Sequence, residues 1–341
     1  MSKFVVAVLL ASLAAVQTAA AAELRTLRYG IGLEQGGTGA AQDQSGLGAL
    51  PYVVGQRKGL FAQEGIDLQF VHYKPRPPLG NQDTLFDALG KGEFDMTRSQ
   101  LSFFILHVLK GADFAAVAGN TANQLQTLMA RPEIKDFAGL KGKTIALTWP
   151  YDLITLSSLE LMDRHGVKKD DVHVSVITGS GPRAKCLQSG ECAAVALSDP
   201  YDRMMEAQGF RPLGNSHENP SIPFIVEVVD KSWAQANEAT VVGYIRALAS
   251  AMRMINDPKN IDEIARIVSE LTKGSDETSR ALLAKYYYDS SHPYLPRQAE
   301  LDVDGIGRVL ALMAEYDQIP KPVPPTSRFV DLRYAHAAGV Q

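Results

Sequence analysis

The run PYVVGQRKGLFAQEGIDLQF, residues Pro51 to Phe70, sets a short amphipathic helix against a strand with a glycine between them. Pro51 suits the first helical turn, where its missing N–H costs nothing, and Gly65 suits the exit. IDLQFVHY, residues 66 to 73, completes the strand. Upstream, LRTLRYGIGL (24 to 33) reads as a preceding strand, joined to the helix by a glycine-rich loop from Glu34 to Leu50. Downstream the spacing predicts a helix over Gln82 to Leu89, a strand over Phe94 to Thr97 and a helix over Ser99 to Leu109. Alternation of this kind predicts an α/β fold with a mostly parallel sheet and helices on both faces.

A second unit begins near Ala118. VAGNTANQLQTLMA gives two strands around a polar turn, and Lys143 to Thr148 gives another. A helix from Leu153 to His165, a strand from Val172 to Ile177, a helix from Pro182 to Gln188, a strand from Ala193 to Leu197 and a helix opening at Pro200 follow. IPFIVEVVD, Ile222 to Asp230, reads as one further strand, after which helical patterns dominate: Val241 to Asn256, Ile261 to Leu271 and Leu301 to Tyr316. This order predicts two lobes joined by two crossings, near Gly119 to Gln124 and near Pro220 to Ile225. The Pro-rich IPKPVPPTSRF near the C-terminus reads as extended.

The N-terminus has Lys3 as a positive start, an apolar stretch from Phe4 to Val16 and small residues Ala20 to Ala22, the pattern of a cleavable signal peptide over residues 1–22. It carries no cysteine for a lipid anchor, so the mature chain is expected to be free in its compartment, and the stretch is too short for a permanent membrane anchor. The net charge of −4 among 341 residues becomes −5 without Lys3 and gives no general attraction for nucleic acid or an anionic membrane. Cys186 and Cys192, the only two cysteines, either pair in an oxidising compartment or remain as inert thiols. The seven histidines show no HxH or HExxH spacing, and neither a GxSxG elbow nor a GxxxxGK[ST] loop is present, so no metal, cofactor or catalytic constellation is expected.

PYVVGQRKGLFAQEGIDLQF resembles the opening signature of substrate-binding proteins that serve nitrate, sulfonate and taurine ABC importers. ALGKGEFDM, LKGKTIAL, LQSGECAAVALSDPYDRMMEAQGF and FVDLRYAHAA are similar to later segments of that family, so the resemblance spans about Tyr29 to Ala338. It implies a two-lobed type II periplasmic binding protein fold, with lobe 1 formed by 23–119 and 224–341 and lobe 2 by 120–223. It further implies a monomeric, non-enzymatic periplasmic carrier that closes on a small organic anion, a sulfonate or carboxylate and possibly an aromatic one, and passes it to an ABC permease. Two other functions share the fold: an enzyme of pyrimidine-precursor (thiamine) synthesis, and a ligand sensor for a membrane receptor. The glycine-rich loop is longer than the family's, and WPYD after Thr148 replaces its small hydroxyl residues, departures that fall where the ligand should sit.

Open α/β sheets bind ligands outside the carboxyl ends of their strands, where helix N-termini favour anions. That rule selects Arg98 and Ser99 in MTRSQL, Arg98 as a two-pronged anion donor or a solvated side chain and Ser99 as a contact or a helix cap. Thr148, Trp149 and Tyr151 open the next helix, the two rings either stacking on a ligand or packing between lobes. In SGPRAKC, Ser180 is read as a cap and Arg183 as facing the cleft or water. In SDPYD, Asp199 either caps the helix or binds an amine, and Tyr201 lines the pocket. Asn120, in the first crossing, suits a polar ligand or a turn.

Overall fold

The computed structural model describes residues 24–32, 47–73, 81–123, 125–288 and 291–340; residues 1–22, read as a signal peptide, and most of the glycine-rich loop lie outside them. The first part of the chain runs β1 (Arg25–Gly32), α1 (Leu50–Arg57), α2 (Leu60–Gln63), β2 (Ile66–Tyr73), α3 (Asn81–Gly90), β3 (Met96–Gln100), α4 (Leu101–Leu109) and β4 (Phe114–Thr121). The middle runs β5 (Thr127–Ala130), β6 (Thr144–Leu147), α5 (Leu153–Arg164), β7 (His173–Val176), α6 (Ser180–Ser189), β8 (Ala194–Leu197), α7 (Tyr201–Ala207) and β9 (Arg211–Asn215). It then returns through β10 (Ile225–Asp230) into α8 (Lys231–Ala236), α9 (Glu238–Asn256), α10 (Ile261–Thr272), α11 (Asp276–Tyr286), α12 (Val303–Glu315) and α13 (Arg333–Ala337).

Two five-stranded sheets result, ordered β2-β1-β3-β10-β4 and β7-β6-β8-β5-β9. The architecture is therefore two-lobed α/β, and in each sheet four of the five strands run the same way, as expected, with one strand reversed. β10 runs antiparallel to both β3 and β4, and β5 runs antiparallel to both β8 and β9. The reversed strands are those that follow the two crossings: β5 and β10 each run against the direction of the β-α-β units of their sheet. The two strands read in VAGNTANQLQTLMA accordingly belong to different sheets.

One apolar cluster packs α1 and α9 on a face of the first sheet, through Leu27, Val54, Ile245 and Met252, and a second packs α4 and α12 on the other, through Phe104, Val226 and Leu310. The second sheet is likewise covered on both faces, with Leu147, Leu159 and Met162 on one and Val195, Leu187 and Met205 on the other. Burial on both faces explains why FAAVA in β4 and AVAL in β8 are apolar throughout rather than alternating. Cys186 and Cys192 are bonded as a disulfide, tying the end of α6 to the approach of β8.

Several boundaries differ from expectation. Arg98 and Ser99 lie inside β3 rather than at a helix start, because antiparallel pairing with Glu227 and Val226 of β10 extends the strand to Gln100. Ser180 does not cap α6: Gly179, at φ 83°, holds that position, and Ser180 is already helical. Asp199 does not cap α7 either, since Pro200 stands there without a side-chain cap. Asn120 belongs to β4 and is fully buried, so it forms no exposed turn.

Candidate functional site: the junction of the two sheets

The two lobes meet where a helix N-terminus from each faces the other. Gln100 precedes α4, and its Nε2 donates to Asp152 Oδ1 at 3.1 Å while its Oε1 accepts from the Leu153 N–H at 3.0 Å and from Ser102 Oγ at 2.8 Å. Asp152 caps α5, its Oδ1 accepting from the Ile154 N–H at 2.8 Å. Burial pushes the Asp152 carboxyl up, against the pull of the Ile154 N–H and Gln100. Beside this clasp, Tyr151 meets Phe103 of α4 edge-on at 5.3 Å, and Leu153 and Leu156 of α5 join the apolar cluster of the first sheet.

Arg98 leaves β3 nearby. Its guanidinium lies 5.4 Å from the centroid of the Tyr52 ring, and Nη1 donates to the Gly48 carbonyl. Beneath it lies a fully buried carboxylate. Glu227 Oε1 accepts from Tyr52 Oη at 2.6 Å and Asn120 Nδ2 at 2.7 Å, and Oε2 accepts from Tyr29 Oη at 2.7 Å and Tyr244 Oη at 3.0 Å. Four donors occupy the four lone-pair directions of the carboxylate. Burial raises the pKa of Glu227, and the hydrogen bonds from Tyr52, Tyr29 and Asn120 and the charge of Arg98 oppose it. For Arg98, burial alone acts downward, but Tyr52, Tyr29 and Glu227 raise its pKa overall, so it remains a permanent cation. Tyr287 and Tyr294, with rings 5.1 Å apart, also feel the charge of Arg98. Tyrosines from α1 and the C-terminal third thus surround one half-buried guanidinium.

The remaining candidates separate into two kinds. Asn120 joins the Arg98 assembly from below, donating to Tyr52 Oη at 2.6 Å as well as to Glu227. Ser99 is buried, with its hydroxyl on Gln82 Oε1 at 3.2 Å. Arg183 faces neither cleft nor water: it is 2% exposed, and Nε, Nη1 and Nη2 donate to Ala196 O at 2.6 Å, Ile177 O at 3.1 Å and Ser180 Oγ at 3.3 Å. Burial lowers its pKa to about 10, and the charge of Asp152 opposes that shift. Thr148 pairs with Thr155 Oγ1 at 3.0 Å through both its N–H and its hydroxyl.

Trp149, by contrast, is 46% exposed in the loop that leads to the Asp152 cap. Asp199 is held by Arg203 Nη2 at 2.9 Å and lies 3.9 Å from Lys285 of α11, a second contact between lobes. Tyr201 sets its hydroxyl over the start of α6, so that a Cβ at Gly181 would stand 3.2 Å from it. Among the described residues no group of three or more His, Cys, Asp or Glu converges as a metal site.

Sequence reasoning passed over Tyr29, Tyr52, Tyr244, Gln100, Asp152 and Glu227. Glu227 carried a usable signal, since a single acid inside the apolar run IVEVVD must find donors if the strand is buried. The tyrosines carried none, because a helical or strand tyrosine reads as ordinary core.

A family model described as NMT1/THI5 like matches residues 48–261, well over half of the chain. The chain belongs to that family. No curated protein sequence matches this NMT1/THI5-like chain. Among solved structures it is similar to the periplasmic aliphatic sulphonate binding protein of Escherichia coli, at 16% identity and a TM-score of 0.67, over 92% of this chain and 99% of that one. It is also similar to the alkanesulfonate-binding protein of Xanthomonas axonopodis pv. citri bound to MOPS, at 18% identity and 0.65, over 90% and 99%. The periplasmic nitrate-binding protein of Synechocystis PCC 6803 matches at 14% identity and 0.64, over 93% and 86%. At these identities the likeness establishes the fold, that of two-lobed periplasmic binding proteins. No helix among the described residues is long and apolar enough to cross a membrane.

Proposed function

We propose that this chain is the solute-binding component of an ABC importer, a monomeric, non-enzymatic carrier exported to the periplasm by residues 1–22 and not lipid-anchored. In this reading lobe 1 (23–119 and 224–341) and lobe 2 (120–223) close on a small organic anion, a sulfonate or carboxylate, and deliver it to the permease. The observation that carries the proposal is Arg98, half-buried at the lobe junction and held against the Tyr52 ring. A guanidinium fixed by ring stacking and one carbonyl keeps donors for a two-pronged bond to an oxyanion and loses little freedom on binding.

The other candidates take graded roles. Trp149 and Tyr151 offer flat faces from lobe 2 to an aromatic part of the ligand, and Tyr201 and Asp199 form the rim. Thr148, Ser180 and Arg183 shape the helix starts of lobe 2, while Ser99 and Asn120 support β3 and Tyr52. An anion touching both lobes favours the closed arrangement by its differential affinity, with the crossings near Gly119 to Gln124 and near Pro220 to Ile225 serving as hinges.

Thermal unfolding of the purified chain with MOPS, benzenesulfonate, benzoate, taurine and nitrate tests the reading. At a ligand concentration about 100 times Kd, binding adds about 2.7 kcal/mol of stability and a measurable rise in Tm. Arg98→Ala should abolish that rise and leave the unliganded protein folded. Absence of any shift across the whole panel would rule out an anion carrier of this type.

A further inference from the structure

Beside the two crossings lies a small pocket with about 20 Å³ of room for water. Asn123 and Gln126 line it from the first crossing, Ser216 and Asn219 from the second, Ser157 from α5 and His292 from the C-terminal third. None of the residues assigned to the anion site contributes to it.

Gln126 is only 4% exposed, and both Nε2 and Oε1 of its side chain lack a hydrogen-bond partner in the protein. Its backbone is already used, the N–H donating to Ser216 Oγ at 3.0 Å and the carbonyl accepting from the Ser216 N–H at 2.9 Å. Asn219, 6% exposed, is fixed in the opposite wall. Its Nδ2 donates to Ser157 O at 2.8 Å and Ser157 Oγ at 3.0 Å, which leaves Oδ1 without a partner. Turning the Asn219 amide over would set its Oδ1 against the Ser157 carbonyl oxygen and lose that bond, and turning Gln126 over would change nothing.

Buried amides left in this state are costly, so the pocket needs a guest. The volume suits a single water, and no carboxylate, ammonium or guanidinium lines the walls to call for an ion. On the two amides facing each other, the unmet groups are the acceptors Gln126 Oε1 and Asn219 Oδ1 and the donor Gln126 Nε2. Water offers two donors and two acceptors.

We infer that this pocket is a hydration site of the hinge, in which an ordered water joins Gln126 of the outgoing crossing to Asn219 of the returning one. The site does not depend on which solute the cleft takes. Because each crossing supplies one of its partners, the guest ties the two crossings to each other where they enter lobe 2, whose Ser157 holds Asn219. The water is thus a structural member of the hinge.

The full chain tests this in two ways. In a crystal structure at a resolution that shows ordered solvent, one water should lie within about 3.2 Å of Gln126 and of Asn219 Oδ1. In solution, the Gln126 side-chain amide protons should show a cross-peak to a long-lived water that is lost in Gln126→Met, while backbone amide shifts outside residues near the pocket stay in place. A dry pocket with Gln126 bonded to a protein group, or a Gln126 amide that sees only bulk water, would overturn the assignment. Loss of the solute-induced Tm rise would leave it standing, so the two readings fail separately.

Discussion

Glu227 places a carboxyl group where no solvent reaches and surrounds it with three phenols and an amide. Burial raises its pKa, so the folded chain holds the proton to higher pH than the unfolded chain does. Stability from this group is therefore full below about pH 4.3 and is lost as pH rises through its raised folded value. Glu227→Gln removes the titration. The difference in unfolding free energy between the parent and Glu227→Gln should narrow as pH is raised from about 4 to about 7 in urea denaturation, and a gap that widens would place the folded pKa below the unfolded one. Tyr52→Phe keeps the ring under Arg98 but takes a donor from Glu227, and should cost about 1–3 kcal/mol in the same assay. The polar partners of Glu227 come from four elements scattered between residues 29 and 244, a convergence that no local pattern encodes.

Among elements, β3 and β4 show how tertiary pairing overrides local preference. MTRSQL reads as a strand handing over to a helix at Ser99, yet β10 captures the segment through Gln100 and turns two expected helix-start residues into strand residues. β4 in turn accepts a segment of the C-terminal third, the Gly119 N–H donating to the Ala299 carbonyl at 2.9 Å. Glycine is needed there because a Cβ would stand 2.3 Å from the Glu300 carbonyl oxygen. Gly119→Ala should therefore lower stability by about 3 kcal/mol, read as a fall in the urea midpoint. The Cys186–Cys192 disulfide closes a loop with a sequence separation of only 6. Replacing both cysteines with serine should cost about 2 kcal/mol, and a much larger loss would show that the bond does more than restrict the unfolded chain.

At the scale of the whole molecule, Gln100 and Asp152 hold the two lobes together at opposed helix starts. Gln100→Ala leaves a buried carboxyl and a helix N–H without that partner, at a cost of about 2 kcal/mol to the joined arrangement and about a 30-fold shift toward separated lobes. Small-angle scattering should then report a larger radius of gyration for Gln100→Ala than for the parent, and added MOPS should reduce it if the anion bridges the lobes. An unchanged radius would show that the apolar contact of Leu153 and Leu156 with the first sheet holds the lobes by itself.

The order of strands and helices, the return of the chain through a strand near Ile225 and the two-lobed class were all legible in the sequence. Hydrophobic period, helix-exit glycines and helix-start prolines act over a few residues and leave a local trace. The reversed direction of β5 and β10 left no such trace, because a strand flanked by two neighbours looks the same whichever way it runs. For the same reason Arg98 was identifiable as a candidate, while its Tyr52 stack, the Glu227 node beneath it and the Gln100–Asp152 clasp were decided only when distant segments met. Arg183 makes the converse point: also a candidate at a strand-to-helix turn in the sequence, it is buried in α6 and spends its donors on the carbonyls of Ala196 and Ile177 and on Ser180. A side chain's chemistry is written in the sequence, but the partners that fill or leave free its hydrogen bonds are set by burial, which only the tertiary fold determines.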